Sequence, residues 1–274
     1  MRILISNDDG IYSPGLAALA GVAKNFGEVR VVAPSVEQSS MSHAITASRP
    51  LTYRRTELKG AEAYQVNGTP ADCVAIGVFN WERVDLVLSG INLGTNLGHG
   101  LWHSGTLAAA KQAAMLGIRG IAFSMPVGET EPVFDTVSEW ARKTLEFLLT
   151  VRDLPLVNVN IPEHPRGLAW TRQSFRHYDG KVVPGEDPYG RKHFWFTVTP
   201  LEEIEPGSDR WAVDNGLVSM TPLRLELTEN DKLQQLRAAG IPTHLAPSDA
   251  DKPAPLSEPA RTSIQTSEAG MRPH

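Results

Sequence analysis

Cysteine is nearly absent: Cys73 stands alone in 274 residues, which excludes an internal disulfide framework. Basic residues are not in excess. Lysine and arginine number 26 against 31 aspartates and glutamates, for a net charge of −5, and that balance argues against a nucleic-acid polymer as partner. No apolar run approaches the roughly 20 residues that span a bilayer, and the opening residues carry no signal-peptide pattern. A cytoplasmic protein without a membrane partner is therefore expected. A G-x-G-x-x-G stretch is missing after the first apolar run, where "NDDGIYSPG" stands instead, and this removes the dinucleotide-binding oxidoreductases. Internal repeats are missing as well. Between Val84 and Ala110 there is neither lysine nor arginine, so a phosphate held there needs donors of another kind.

What is present alternates between strands and helices. "RILIS" (2–6) is a short apolar run fitting a buried strand. Ser13-Pro14 reads as a helix start, with serine as cap and proline in the first turn. "VRVVA" (29–33) is the second strand. Residues 44–66 look like short extended pieces, and Thr69-Pro70 opens a helix to about Phe79. "DLVLS" (85–89), an alanine-rich helix at 104–116, "GIAFSM" (120–125), an amphipathic helix at 133–149 and "LVNVNI" (156–161) follow. The alternation predicts an α/β fold with a doubly wound, Rossmann-like parallel sheet. The aromatic-rich pieces "LAWTRQS", "KHFWFTV" and "LVSMTPLRLEL", within 168–228, read as a C-terminal extension of antiparallel hairpins. One domain over residues 1–245 is expected, with oligomerisation hairpins at about 168–230. The Pro-, Ser- and charge-rich residues 246–274 are expected to be disordered.

In such a sheet, ligands bind beyond the carboxyl ends of the strands. The first strand ends in Asp8 and Asp9, adjacent carboxylates that suit Mg²⁺, Mn²⁺ or Ca²⁺; the alternative is one helix cap and one solvated carboxylate. The second strand runs into "PSVEQSSMSH". The strand at 85–89 runs into "GINLGTNLGHGLWHSGT", with Asn92, Asn96 and glycines at 90, 94, 98 and 100. Asn92 offers an amide oxygen to a metal or an amide N–H to a substrate. Ser104 and Thr106 open the alanine-rich helix, whose N-terminus can bind an anion; Ser104 serves equally as a plain helix cap. His43, His99 and His103 fall in these loops as proton donors, substrate contacts or solvated side chains. Cys73 reads as a buried inert thiol and Trp195 as a core or interface residue.

Taken together, "ILISNDDGIYSPGL" (3–16), "VVAPSVEQSSMSHAIT" (31–46), "VNGTPADCV" (66–74), "DLVLSGINLGTNLG" (85–98) and "HSGTLAAA" (103–110) resemble the SurE (survival protein E) family of metal-dependent nucleoside-monophosphate phosphatases. The resemblance covers residues 1–230 or so. It implies a divalent cation, Mg²⁺ or Mn²⁺, on Asp8, Asp9, Ser39 and Asn92. It places Asn96 and the Ser104, Gly105, Thr106 turn near the bound phosphate. Two positions depart from the family pattern: Ser35 replaces an aspartate, and Ser40 replaces the glycine after the ligating serine, which leaves Ser40 as the alternative to Ser39. A homodimer or homotetramer joined by the C-terminal hairpins is also implied.

The expected activity is hydrolysis of nucleoside 5′-monophosphates, and of 3′-monophosphates and short polyphosphate, with Asp8 and Asp9 as catalytic residues. A response-regulator receiver domain, which also carries an acidic pair after its first strand, is disfavoured. "DLVLSGINL" offers no phosphoacceptor aspartate after its strand, and "LVNVNIP" offers no lysine.

Overall fold

The structure is a computed structural model. It describes residues 1–58, 60–128, 134–175, 178–200 and 204–239, so the expected tail at 246–274 lies outside the described residues. Met1–Glu226 form one compact unit, and Leu227–His274 are a second. In the second unit the described chain contains one helix, Asn230–Ala238.

The first unit is built on a nine-stranded sheet. Its strands are β1 (Arg2–Ser6), β2 (Glu28–Pro34), β3 (Tyr53–Leu58), β4 (Ala61–Val66), β5 (Leu86–Leu93), β6 (Arg119–Met125), β7 (Leu156–Asn160), β8 (Gly167–Trp170) and β11 (Leu217–Leu223). Their spatial order is β3-β4-β2-β1-β5-β6-β7-β11-β8. The strands from β4 through β7 pair in parallel, as the alternation of strand and helix predicts. β1 is the turning point: the chain first winds outward through β2 and β4, then returns to place β5 on the other side of β1. The carboxyl ends of β1 and β5 therefore flank the switch point, where such folds bind ligands.

Burial follows from the pleat. Ile3 and Ile5 of β1 belong to one core with α1 (Pro14–Ala23) and α4 (Phe134–Thr150). Leu4, between them, belongs to the opposite core with α2 (Pro70–Phe79) and α3 (Gly105–Met115). Successive apolar residues such as Ile3-Leu4-Ile5, facing both ways, are what a sheet covered on both faces requires. The predicted helix start at Thr69 is a full capping box. The Thr69 side chain accepts from the Asp72 N–H, and Asp72 accepts from the Thr69 N–H.

The C-terminal extension differs in detail from the hairpins expected. β11 joins the main sheet antiparallel to β7, and β8 lies parallel to β11 at the sheet edge. The hairpin proper is β9 (Tyr178–Glu186) with β10 (Lys192–Pro200), a separate two-stranded sheet. Alternating residues showed that these were strands. Their partners depend on where the main sheet still had an edge to fill. A short helix, α5 (Asp209–Asp214), precedes β11.

Candidate active site

Asp8 follows β1 and is only 5% exposed. It lies at the amino end of α3: the Thr106 hydroxyl donates to Asp8 Oδ1 at 2.7 Å. Gly105 is required by this approach, because a Cβ there would stand 2.8 Å from the Asp8 Cβ. Asp9 is half-buried, and its Oδ2 accepts from the Leu93 N–H at 3.4 Å, which ties it to the end of β5. The loop after β2 reaches the same place, since the Gln38 N–H donates to the Asp8 carbonyl at 2.7 Å.

Both carboxyls are shifted towards the protonated form. Burial raises Asp8, against the opposing Thr106 hydrogen bond. Burial, then the charge of Asp8, pushes Asp9 up to about 6. Glu37, exposed on the loop after β2, adds its charge in the same direction on both. Among the described residues no lysine, arginine or histidine forms an ion pair with either aspartate. Two mutually repelling carboxylates, one buried and one half-buried, without a basic ion-pair partner among the described residues are suited to a cation. Among the described residues no group of three or more His, Cys, Asp or Glu could hold a metal, so any site here must be completed by neutral oxygens. That donor chemistry fits a hard divalent cation.

The other expected residues fall into two groups. Ser39 is exposed, and its hydroxyl donates to Glu37 Oε1 at 2.6 Å. Ser40 and Ser42 have φ of 60° and 54°. Asn92, at the end of β5, donates its amide nitrogen to the Gly94 carbonyl at 2.7 Å, leaving its amide oxygen for another partner. Asn96 is buried; its amide nitrogen donates to Ser124 Oγ at 2.8 Å and stands 3.4 Å from Thr106 Oγ1. Ser104 caps α3 by accepting from the Leu107 N–H at 3.0 Å. Asn96, Thr106 and Asp8 thus form one contiguous buried cluster.

The histidines are dispersed. His43 Nε2 pairs with Gln112 Oε1 at 2.9 Å, His99 packs edge-on to Phe175, and His103 is exposed. Cys73 is fully buried, and burial pushes its thiol well up. Trp195 is 64% exposed on β10, which removes the core alternative. Sequence reasoning missed Glu37, Asn158, Asn160, Gln173 and Asp209. Asn158 and Asn160 had a signal: two polar residues at i, i+2 in an otherwise apolar strand share one face. Asp209 had none.

Residues 3–180 match the family model described as Survival protein SurE. The chain belongs to the SurE family. It is 47% identical over 254 residues to 5'-nucleotidase SurE 1 of Thermus thermophilus, covering 90% of this chain and 100% of that protein. It is 42% identical over 248 residues to 5'-nucleotidase SurE of Deinococcus radiodurans, covering 87% of this chain and 92% of that one. The crystal structure of the SurE protein from Aquifex aeolicus superposes with a TM-score of 0.76 at 37% identity, covering 88% of this chain and all of that one. The SurE match takes in β1 through β8, and hence the acidic pair and the glycine-rich loop; β10, α5 and β11 lie beyond it.

Proposed function

We propose that this chain is a 5′-nucleotidase, a phosphomonoesterase that hydrolyses nucleoside 5′-monophosphates to nucleoside and phosphate. The relatives' shared name supports the activity. The observation that carries the site is the pair Asp8–Asp9 at the switch point, with both carboxyls raised and the amino end of α3 resting on Asp8.

Asp8, Asp9, Ser39 and Asn92 would hold Mg²⁺ or Mn²⁺. Such a cation supplies polarisation of a phosphoryl oxygen and acidification of a water. The chain's own groups do the rest. Thr106 fixes the Asp8 carboxylate in one orientation. Asp8 and Asp9 accept hydrogen bonds from the attacking water and direct it at phosphorus. The phosphate lies against Asn96 and the start of α3, where Ser104, Gly105 and the helix's partial positive charge stand in for an arginine. The water oxygen bonds to phosphorus as the bond from phosphorus to the nucleoside oxygen breaks, and the proton that the water gives up ends on that leaving oxygen.

A homodimer or homotetramer joined by β9 and β10 belongs to the same proposal. Its support is the exposure of Val182, Phe194, Trp195 and Phe196 on that hairpin. A cytoplasmic location is also proposed, supported by a lone buried cysteine; among the described residues no helix is long and apolar enough to cross a membrane.

The test is phosphate release from 5′-monophosphates, 3′-monophosphates and short polyphosphate, with Mg²⁺ or Mn²⁺ restored to chelated protein. Release from 5′-monophosphates that depends on the added cation is expected. Equal turnover in chelator removes the cation from the reading, and no release from any nucleotide removes the activity.

A further inference from the structure

The loop after β5 is held at two alternate residues by side chains from distant parts of the chain. At Asn96, the backbone N–H donates to Asn160 Oδ1 at 2.8 Å; its carbonyl accepts from Asn158 Nδ2 at 2.8 Å and Asn160 Nδ2 at 3.0 Å. At Gly98, the N–H donates to Asp209 Oδ2 at 2.9 Å, and the carbonyl accepts from Gln173 Nε2 at 2.7 Å. Asn160 therefore meets both backbone groups of Asn96, as the next strand of a sheet would. Asp209, fully buried, uses its other oxygen on the Ser174 and Arg210 N–H groups at 3.0 and 2.8 Å.

These bonds compensate for the loop's composition. Glycines at 90, 94, 98 and 100 leave the backbone intrinsically loose, and a buried loop must satisfy its N–H and C=O groups somehow. The clamped stretch also touches the reaction centre. The Asn96 side chain lies 3.4 Å from Thr106 Oγ1, and the Thr106 hydroxyl is on Asp8.

We propose that Asn160 and Asp209 are positioning residues that set residues 94–98 against the phosphate, so that their loss weakens phosphate binding and leaves the cation site intact. The inference rests on the phosphate placement given under the proposed function. It brings α5, beyond the span of the SurE match, into the working of the site. An aspartate at 160 accepts from the Asn96 N–H but cannot donate to its carbonyl. An asparagine at 209 turns a donor towards one of the backbone N–H groups it must accept.

The experiment uses the full chain with N160D, D209N and the milder Q173M. KM for a nucleoside 5′-monophosphate and the inhibition constant of inorganic phosphate should rise together, by about tenfold for N160D and D209N, the loss of roughly one hydrogen bond to a charged or buried partner. Q173M should move both in the same direction by less. Mn²⁺ affinity, titrated into chelated protein, should stay at the wild-type value. A purely structural role would instead lower kcat through a smaller folded fraction, with KM and phosphate inhibition unmoved, and that overturns the proposal. Equal loss of Mn²⁺ affinity overturns it too. If the first two variants are recovered unfolded, Q173M decides alone. Asn96→Ala separates the two levels. If it raises both constants while the clamp variants do not, the positioning role fails; if it raises neither, the phosphate placement itself fails.

Discussion

The Thr106 hydroxyl donates to Asp8 Oδ1 at 2.7 Å, joining the first turn of α3 to the end of β1 across 98 residues of sequence. One hydroxyl has one proton, so this bond commits it to the carboxylate. Sequence reasoning set Thr106 on the phosphate; in the structure its donor faces Asp8.

Thr106→Ala is therefore expected to weaken divalent-cation binding as well as turnover. A hydrogen bond to a charged group is worth roughly 1.5–3 kcal/mol, or about ten- to hundredfold in kcat/KM. Thr106→Ser keeps the donor and should retain most of both. Unchanged Mn²⁺ affinity in the alanine variant, measured by titration of chelated protein, would return Thr106 to the phosphate.

Removing the charge at Asp9 should separate stability from function. Its carboxyl stands at about 6 in the folded protein against an ordinary 3.8, raised by burial and then by Asp8. A raised carboxyl binds its proton more tightly when folded, so the folded state loses stability as pH rises between those values. In chelator, the melting temperature of Asp9→Asn minus that of the wild type should grow from about pH 4 to about pH 6 and then level off. Activity with Mg²⁺ or Mn²⁺ should be abolished in Asp9→Asn and in Asp8→Asn. A flat difference across that range, or near wild-type turnover in both variants, contradicts the account.

Ser40 occupies the left-handed region at φ 60°, which an L-residue enters at a cost of roughly 1–2 kcal/mol. Glycine relieves that strain but gains freedom in the unfolded chain. Ser40→Gly should therefore stabilise by roughly 0.5–1 kcal/mol net, seen as a rise of about 1–3 °C in melting temperature. Ser39→Ala should lower Mn²⁺ affinity, and Ser40→Gly should not. The opposite assignment of cation affinity would make Ser40 the ligand.

Phe194 and Phe196 share one face of β10, and Trp195 lies on the other. All three are exposed. If the proposed oligomer is joined there, the triple substitution of these residues by serine should lower the particle mass measured by light scattering to that of a monomer. Truncation after Leu245 should leave both size and activity unchanged. An oligomer that survives the triple substitution places the interface elsewhere.

Much of the chain could be read locally. β1, β2 and β5 are short apolar runs ended by glycine, proline or acidic residues. The start of α2 is spelled out in Thr69, Pro70 and Asp72, and Asp8 and Asp9 adjoin a strand end, where the fold class expects ligands. Each of these depends on neighbours within four residues, so each is determined by the sequence itself. The partners of β8 and β11 were not legible in that way. Alternation marks a strand but not the edge it will join, and β11 lies against β7 because the sheet was open there. The same limit hid the clamp on the glycine-rich loop. Asn158 and Asn160 could be seen as polar positions in an apolar strand, but nothing near them names Asn96. Asp209 looks like any helix-starting aspartate until the fold delivers the Gly98 N–H to it. Local spacing determined which groups the chain carries. Only the long-range need to pair every buried N–H, carbonyl and carboxylate decided which of them meet.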